Sequence, residues 1–242
     1  MESFSKNELI YDLWETAAPL VNDDSLLDSR KFDFWIDNTR ATLIRQDLNK
    51  NRTIDENLIQ DLGCVEIEKV DASSCCNINT KCYVYRTIEE IPVTIERYNE
   101  PTFTRIGPVN PLVRVKNINR TYPLITYSQA IWANNSKYTR AAIYAFLYNK
   151  RIHLITGDEN DLRGLKYINI RGVFETPADA AKFTTCDGTP CYSNDAKYPM
   201  NRWMYEAMKK LIKENDLSPL LNRKFDNVND GSPEIKDTNA VT

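Results

Sequence analysis

The chain has 242 residues, of which 42% are hydrophobic and 27% charged, and 31 Lys and Arg against 34 Asp and Glu give a net charge of −3. This balance disfavours a general binder of nucleic acids or membrane surfaces, and no apolar run approaches the roughly 20 residues that span a bilayer. The N-terminal stretch MESFSKNELIYDLWE lacks the basic and apolar regions of a secretory signal. We therefore expect a globular protein made in a cytoplasm, where its thiols stay reduced.

Two helices are predicted at the start of the chain. Residues 6–18 carry apolar side chains at helical spacing, and Pro19 stops the helix. Residues 28–51 contain neither Gly nor Pro, and Ser25 or Asp28 can accept hydrogen bonds from the first-turn amides of a second helix. The link between the two helices is short, so the pair is expected to be antiparallel.

The second predicted helix carries two apolar stripes, whereas a lone surface helix needs only one. At about 100° per residue, the stripes lie on nearly opposite sides and consist of Phe32, Trp35, Ile36, Thr39 and Leu43, and of Phe34, Ala41, Ile44 and Leu48. Rows of polar residues, which include Arg40 and Arg45, separate them. Two interpretations follow: the protein's own domain packs on both sides of the helix, or one stripe meets a neighbouring subunit, as in a ring.

The middle of the chain is predicted to be rich in β-strands. After Gly63, Val65 and Ile67 alternate with glutamates as in a half-exposed strand. Further runs rich in Tyr, Ile, Val and Thr predict strands at residues 83–86, 91–96, 102–106, 112–115, 122–127, 142–148, 151–156 and 167–175. Asn149 and Lys150 predict a hairpin turn between two of these runs. Prolines in this part of the chain require several strands to be short or to lie at an edge.

The C-terminal part returns to helix and then becomes polar. Pro177 is well placed to start one or two helical turns over residues 177–183. Residues 199–215 predict a helix with Met200 and Trp203 on its apolar side and lysines near its end, where they complement the helix dipole. The polar residues beyond it predict a mobile or docking tail.

The predicted fold class is therefore α+β, with an N-terminal helical pair, a central β-rich body, a C-terminal helix and an extended tail. The predicted regions are residues 1–60 for the N-terminal helices, 61–176 for the β-rich body, 177–215 for a helical region that packs on the N-terminal helices, and 216–242 for a flexible or docking tail. Apolar residues in the near half of the tail could anchor it to a partner or to its own domain.

The sequence offers little chemistry. Its six cysteines lack the CxxC spacing of zinc sites, and its single histidine, His153, lies in an alternating run typical of a plain strand. No phosphate-binding glycine loop, nucleophile elbow or HExxH motif occurs. We predict no enzyme activity, no catalytic, cofactor-binding or metal site, and mainly reduced cysteines that pack, with a disulfide or a metal site as lesser alternatives. The alternative function is a soluble thiol-redox or accessory protein that uses Cys186 and Cys191.

Several stretches together resemble the virion ring proteins of crAss-like bacteriophages, which lie between portal and tail. They are residues 40–65, 105–109, 171–183 (RGVFETPADAAKF), 187–192 (DGTPCY) and 198–204 (YPMNRWM). The helical pair followed by a β-rich body is similar, more distantly, to the head-to-tail adaptors of short-tailed phages. That second resemblance rests on architecture and is an analogy.

The resemblance implies a structural virion protein without cofactors. It implies that about twelve copies close into a ring at the head–tail junction. Its partners would be the portal protein and a neighbouring tail ring or tail-tube protein, and double-stranded DNA would pass without specific binding. The charge balance agrees, because a wall that DNA slides past should offer few phosphate contacts. No membrane partner is expected. The long β-rich body exceeds what a minimal helical adaptor needs, which leaves the ring's position in the stack open.

We expect subunit contacts where apolar residues have no obvious place in the protein's own core. The second stripe and the near half of the tail supply the predicted interface residues, which are Phe34, Ile44, Leu48, Leu220, Leu221 and Phe225. Contacts that repeat head to tail around an axis generate a ring when the rotation closes.

Overall fold

The protein combines helices near both ends of the chain with a curled antiparallel sheet between them, which confirms the predicted α+β class. The computed structural model describes residues 4–18, 28–50, 52–76, 78, 83–97, 100–109, 121–133, 135, 141–158 and 162–221. The larger of two hydrophobic clusters among these residues joins α-helices to the sheet, and the smaller one includes Ala72, Cys76 and Phe146. The boundaries of the four predicted regions stay a prediction.

The helices begin and end close to where their caps predict. They are α1 (Lys6–Ala17), α2 (Ser29–Asn49), α3 (Ala72–Cys76), α4 (Tyr127–Ala130), α5 (Arg202–Ile212) and α6 (Ser218–Leu221). At the start of α1, Ser5 and Glu8 form a reciprocal capping box. At the start of α2, the Asp28 carboxylate accepts a hydrogen bond from the Arg30 amide, so Asp28 is the cap. The first two predicted helices are confirmed.

Seven strands form one antiparallel sheet in the order β1-β9-β2-β3-β8-β7, with β6 also paired to β9. The strands are β1 (Gln60–Asp61), β2 (Val65–Asp71), β3 (Tyr83–Thr87), β4 (Glu96–Arg97), β5 (Glu100–Pro101), β6 (Phe103–Val109), β7 (Tyr144–Tyr148), β8 (Arg151–Ile155) and β9 (Tyr167–Gly172). β4 and β5 form a separate short hairpin. β9, which follows the other strands of the described residues in sequence, pairs with β1, β2 and β6 and so joins one half of the sheet.

The predicted hairpin of β7 and β8 is confirmed. Asn149 and Lys150 form its turn with φ angles of 48° and 58°. Positive φ at both central residues is the geometry of a type I′ turn, whose twist matches that of the flanking strands. The two strands then pair without a break from Tyr148 and Arg151 to Tyr144 and Ile155.

Two predicted strands are wrong over most of their length. In residues 91–96, Thr94 makes a single bridge to Phe174, and only the last residue enters a strand. In residues 122–127, Leu124 makes one bridge, and the Thr126 hydroxyl caps α4. Each run contains a proline, which cannot donate a backbone hydrogen bond to a neighbouring strand. The strand predicted at residues 112–115 lies outside the described residues.

The two stripes of α2 belong to one broad buried face, and Arg40 lies in the middle of it. The buried residues of this helix are Phe32, Ile36, Thr39, Arg40, Ala41, Leu43, Ile44 and Leu48. Arg40 Nε donates to the Pro199 carbonyl at 2.7 Å, and its Nη1 donates to the Phe174 carbonyl at 2.8 Å. The first interpretation therefore describes most of the helix: the protein's own domain packs on both sides.

Lys6 is a second buried cation, and its carboxylate partners lie on the same helix as Arg40. Lys6 is only 1% exposed, and its Nζ lies 2.7 Å from Asp33 and 2.8 Å from Asp37. The Tyr198 hydroxyl donates to the other Asp37 oxygen at 2.7 Å. These bonds supply partners for charged groups that would be costly to bury alone. Because of these bonds, a row of polar residues can lie inside the fold. The same bonds join α1, α2 and the segment before α5.

The C-terminal helical segment packs on the N-terminal helices and extends further than predicted. α5 contacts α2, the Tyr205 ring stacks on Phe4 at 4.8 Å, and Lys209 forms an ion pair with Asp12 at 2.7 Å. A π-helical turn at Lys213–Leu217 leads into α6. Residues 216–221 therefore continue the helix where a tail was predicted to begin. The rest of that predicted tail lies outside the described residues.

Candidate assembly surface

The predicted interface residues fall into three groups. Phe34 projects from α2 with 66% of its surface exposed. Ile44 and Leu48 are buried by the chain itself, at 1% and 4% exposure, so in the free protomer neither is the open apolar surface that the two-stripe pattern suggested. The buried face of α2 is wider than one stripe. Arg40 lies between the two stripes and bonds to partners inside the fold, so the second stripe is buried as well.

The predicted tail contacts lie at the limit of what the structure describes. The backbone of α6 contains Leu220 and Leu221, and Phe225 lies outside the described residues. Their part in an interface stays a prediction.

A surface groove of about 470 Å³ lies where the end of α2 meets the start of α5. Its lining is Ile44, Asp47, Leu48, Arg52, Thr53, Ile54, Asp55, Leu58, Asn201 and Trp203. Its buried apolar residues are Ile44, Leu48 and Leu58, and its charged ones are Asp47, Arg52 and Asp55. Ile54 and Trp203 are apolar lining residues with more exposure. An apolar centre with polar surroundings is the usual anatomy of a protein–protein contact. Ile44 and Leu48 therefore lie at the buried base of this groove, with little of either side chain open to solvent.

Trp203 is the groove residue that sequence reasoning misplaced. Helical spacing put it on the apolar side of its helix with Met200, but the buried residues of α5 are Met204, Met208 and Ile212. Trp203 precedes Met204 and is 49% exposed. Tryptophan is enriched among the residues that dominate binding energy at interfaces. This helix carries two apolar rows, and only one of them can be buried. The presence of the second row was the signal that Trp203 could lie on the exposed side.

The groove's charged residues are paired within the chain. Arg52 donates from Nη1 to the Asp47 carboxylate at 3.0 Å, and the Asp55 carboxylate accepts from the Asn57 amide at 2.9 Å. Exposed pairs of this kind contribute little stability. At an interface, such pairs affect the orientation and the specificity of binding. A partner whose charges do not match them loses its hydrogen bonds to water and gains none to the protein.

Other large apolar side chains are exposed on a helix, on the sheet and in loops or turns. They are Tyr11 and Trp14 on α1, Tyr83 on β3, and Ile88, Val93 and Trp132 on loops or turns. Single exposed apolar residues are normal on protein surfaces. Tyr11 and Trp14 differ in that they share one helix, three residues apart, and so lie on one edge of it.

A cavity of about 680 Å³ lies next to the predicted redox residues. Cys186 and Cys191 both line it, but Cys186 forms a disulfide with Cys64. Burial, aided by the Asp61 carboxylate, raises the pKa of the Cys191 thiol to about 11. A reactive thiol needs a lowered pKa. The structure therefore contradicts a Cys186–Cys191 redox pair, and nothing in this cavity favours the alternative function.

The Cys64–Cys186 disulfide also corrects the expectation that the cysteines are mainly reduced. The turn at Gly63 brings the two segments together: its φ is +65°, and a Cβ there would lie 2.6 Å from the Thr184 carbonyl oxygen. The Cys64 amide donates to that same carbonyl at 3.2 Å. This approach places the Cα atoms of two cysteines that are 122 residues apart in sequence at 5.1 Å.

Reduction of the wild-type protein should lower its melting temperature by about 5–15 °C. The disulfide closes a loop of more than a hundred residues, and such bonds typically contribute about 2–4 kcal/mol by restricting the unfolded chain. Thermal unfolding with and without a reductant measures the shift. A Cys64→Ala, Cys186→Ala variant is the control and should melt at the lower temperature in both conditions. Equal melting temperatures for the oxidised and reduced wild type would refute the stabilising role.

A model of the protein family described as phage tail ring protein 2 matches residues 8–238. The chain belongs to this family. The match covers nearly all of the sequence and confirms the resemblance to crAss-like phage ring proteins. A search of curated proteins gives no match.

As a phage tail ring protein, the chain is a structural component of the virion, and membership of this family favours structure over catalysis. A ring protein implies assembly with other ring or tail components. None of the described helices is both long and apolar enough to cross a membrane.

Proposed function

We propose that this tail ring protein closes into a ring of identical subunits in the head-to-tail connector, below the portal, and that the ring lines or seals the channel for DNA. About twelve subunits would close such a ring through repeated head-to-tail contacts. The observation that carries this proposal is the groove between α2 and α5, which presents buried apolar side chains beside the half-exposed Trp203.

Head-to-tail contacts need two different surfaces on opposite flanks of one subunit. The groove is bordered by Ile44 and Leu48 from the second stripe of α2. The exposed edge of α1 is on the flank of the first stripe, because Trp14 packs edge-on against Phe32 with 5.9 Å between ring centroids. We propose that the α1 edge of one copy, with Tyr11 and Trp14, packs against the groove of the next.

Phe34 extends the groove side of the proposed contact. It precedes Ile44 by ten residues on α2, which is about 15 Å along the helix axis, and it borders the buried second stripe. The contact would then run along much of the exposed side of α2. Leu220, Leu221 and Phe225 are proposed to add contacts to a neighbouring ring or tail component.

The charge of the chain suits a channel wall. A net charge of −3 per subunit gives little general attraction to phosphates. DNA that leaves the capsid would then pass without being held.

Assembly can be tested directly with the purified protein. We expect ring-shaped particles by negative-stain electron microscopy and a closed oligomer by native mass spectrometry, either alone or after addition of the portal protein as a template. The template matters because a weak subunit contact can need a preformed ring to raise the local concentration. A protein that stays monomeric at high concentration and in the presence of its portal would contradict the proposal.

A further inference from the structure

Two adjacent cysteines and the single histidine converge at one end of the sheet. The sulfur atoms of Cys75 and Cys76 and a ring nitrogen of His153 all lie within 4.8 Å of one another. No spacing in the sequence indicates this, because the histidine lies more than seventy residues beyond the cysteines and no CxxC pair is present. The tertiary fold makes the cluster.

Local structure fixes the two cysteines. The Asp71 carboxylate accepts hydrogen bonds from the amides of Ser73 and Ser74, at 2.8 and 3.3 Å, and so starts the short helix α3. That helix packs on β2 and β3. At its end, the Cys76 carbonyl accepts a hydrogen bond from the Tyr127 hydroxyl at 2.6 Å. Cys76 is buried, and Cys75 is partly exposed at the outer side.

His153 reaches the cluster through strand pairing and is held in one orientation. It pairs with Arg86, so β8 lies beside the strand on which α3 packs. Its Nδ1 lies 3.0 Å from the Arg151 carbonyl oxygen, which can only accept, so Nδ1 carries the proton. The lone pair is then on Nε2. Metal-bound histidines nearly always donate their other ring N–H to a group of this kind.

The surroundings keep the imidazole neutral and rigid. Its ring stacks on Phe146 at a centroid distance of 5.0 Å and an angle of 18°, and Tyr148 packs edge-on to it. Burial, and then the positive charges of Arg86 and Arg151, lower the pKa of His153 to about 4, against the hydrogen bond to Arg151. A neutral imidazole with a free nitrogen is the form that binds a metal ion.

We propose that Cys75, Cys76 and His153 bind one Zn²⁺ ion when the two thiols are reduced. Thiolate and imidazole ligands select zinc over hard cations such as Ca²⁺ or Mg²⁺. In a tetrahedral site with Zn–S bonds of about 2.3 Å, the two sulfur atoms lie roughly 3.7 Å apart. The two sulfur atoms are bonded to each other in this structure, so they must separate to that distance after reduction, while the ring nitrogen of His153 already lies within 4.8 Å of both. The partly exposed side of Cys75 leaves the fourth position to a water molecule.

The structure shows Cys75 and Cys76 joined as a disulfide, so the zinc form requires a reductant. A phosphine reductant supplies two electrons and becomes the phosphine oxide, while one water molecule supplies the oxygen and two protons, which gives two thiols. A thiol reductant supplies both the electrons and the protons and is oxidised to its own disulfide. Zinc then replaces both thiol protons, which are released to solvent, while the neutral imidazole contributes its lone pair without losing a proton. The disulfide is the oxidised, metal-free form of the same pair.

Zinc binding is testable with the full-length protein reduced by a phosphine under anaerobic conditions. We expect about one zinc ion per chain by plasma mass spectrometry after competition with a chromophoric chelator. Co²⁺ in place of zinc should show a thiolate-to-metal charge-transfer band. Cys75→Ser and His153→Gln should each abolish stoichiometric binding and that band. Cys191→Ser is the matched control, because Cys191 is a free cysteine outside the cluster, and it should bind zinc as the wild type does.

Three outcomes would overturn the zinc proposal. The first is reduced wild-type protein that binds no zinc. The second is a Cys75–Cys76 bond that the reductant leaves intact, as alkylation followed by mass spectrometry would show. Equal zinc content in the wild type and in Cys75→Ser would also overturn it. Since His153 is buried, its glutamine variant can lose the fold, which circular dichroism detects. In that case the zinc content of Cys75→Ser, a substitution at a partly exposed position, tests the proposal.

Discussion

Replacing Arg40 with Met should lower the free energy of unfolding by about 3–5 kcal/mol. The substituted side chain has a similar length, so the loss comes from bonding and not from an empty volume. The carbonyls of Phe174 and Pro199, which now accept hydrogen bonds at 2.8 and 2.7 Å, would remain buried without donors. Unpaired buried polar groups cost about 1–3 kcal/mol each.

The position of Arg40 explains why one residue has this effect. Its guanidinium ties α2 to Phe174, just beyond β9, and to Pro199, just before α5, and lies 5.7 Å from the centre of the Tyr198 ring. Burial lowers the pKa of Arg40, but Tyr198 and Asp37 favour the charged form, and an arginine stays protonated in proteins. The charge is therefore kept inside the fold and used to hold three elements together.

Urea unfolding measures this effect, and Arg45→Met is a matched control. Arg45 lies on the same helix, five residues further on, and donates to Glu175 at 2.7 Å. Both side chains of that pair are more than a third exposed, so its loss should cost less than about 1 kcal/mol. Equal destabilisation by the two substitutions would show that Arg40 does not hold the fold together in the way its contacts indicate.

Replacing Phe34 with Asp should prevent ring formation and leave the protomer folded. Because Phe34 is 66% exposed, the introduced carboxylate stays hydrated in the free subunit and costs little there. At the proposed contact, the same charge would lose its water without gaining a partner. Loss of a central aromatic contact typically costs about 2–4 kcal/mol, and a ring repeats that loss at every interface. Sedimentation velocity and electron microscopy measure assembly, and circular dichroism measures folding.

The control for Phe34→Asp adds the same charge elsewhere on α2. Gln46 is exposed on a different face of the helix, so Gln46→Asp should form rings like the wild type. Ile44→Asp does not serve this purpose: Ile44 is 1% exposed, and its substitution should unfold the protomer before assembly can be judged. Normal rings from Phe34→Asp would exclude this part of α2 from the subunit contact.

The local elements of this fold follow from short-range patterns in the chain. Helical spacing and caps located α1 and α2, and alternation located β2. A run rich in Tyr, Ile and Val located β9, and two turn residues located the hairpin of β7 and β8. These signals are local, since they depend on backbone geometry and on which side of an element is apolar. The same signals failed where prolines occur within β-like runs, as at residues 122–127. The resemblance, which the family match confirms, came from stretches spread along the chain.

Which polar and sulfur-containing residues meet depends on long-range packing, which short-range patterns do not reveal. Arg40 seemed to divide two apolar stripes, but its carbonyl partners lie more than 130 residues away in sequence and draw it into the core. Cys64 meets Cys186, and His153 meets the pair Cys75 and Cys76, by the same kind of long-range approach. The physical reason is that hydrogen bonds, disulfides and metal sites depend on distances between atoms, and the packing of the sheet and helices sets those distances.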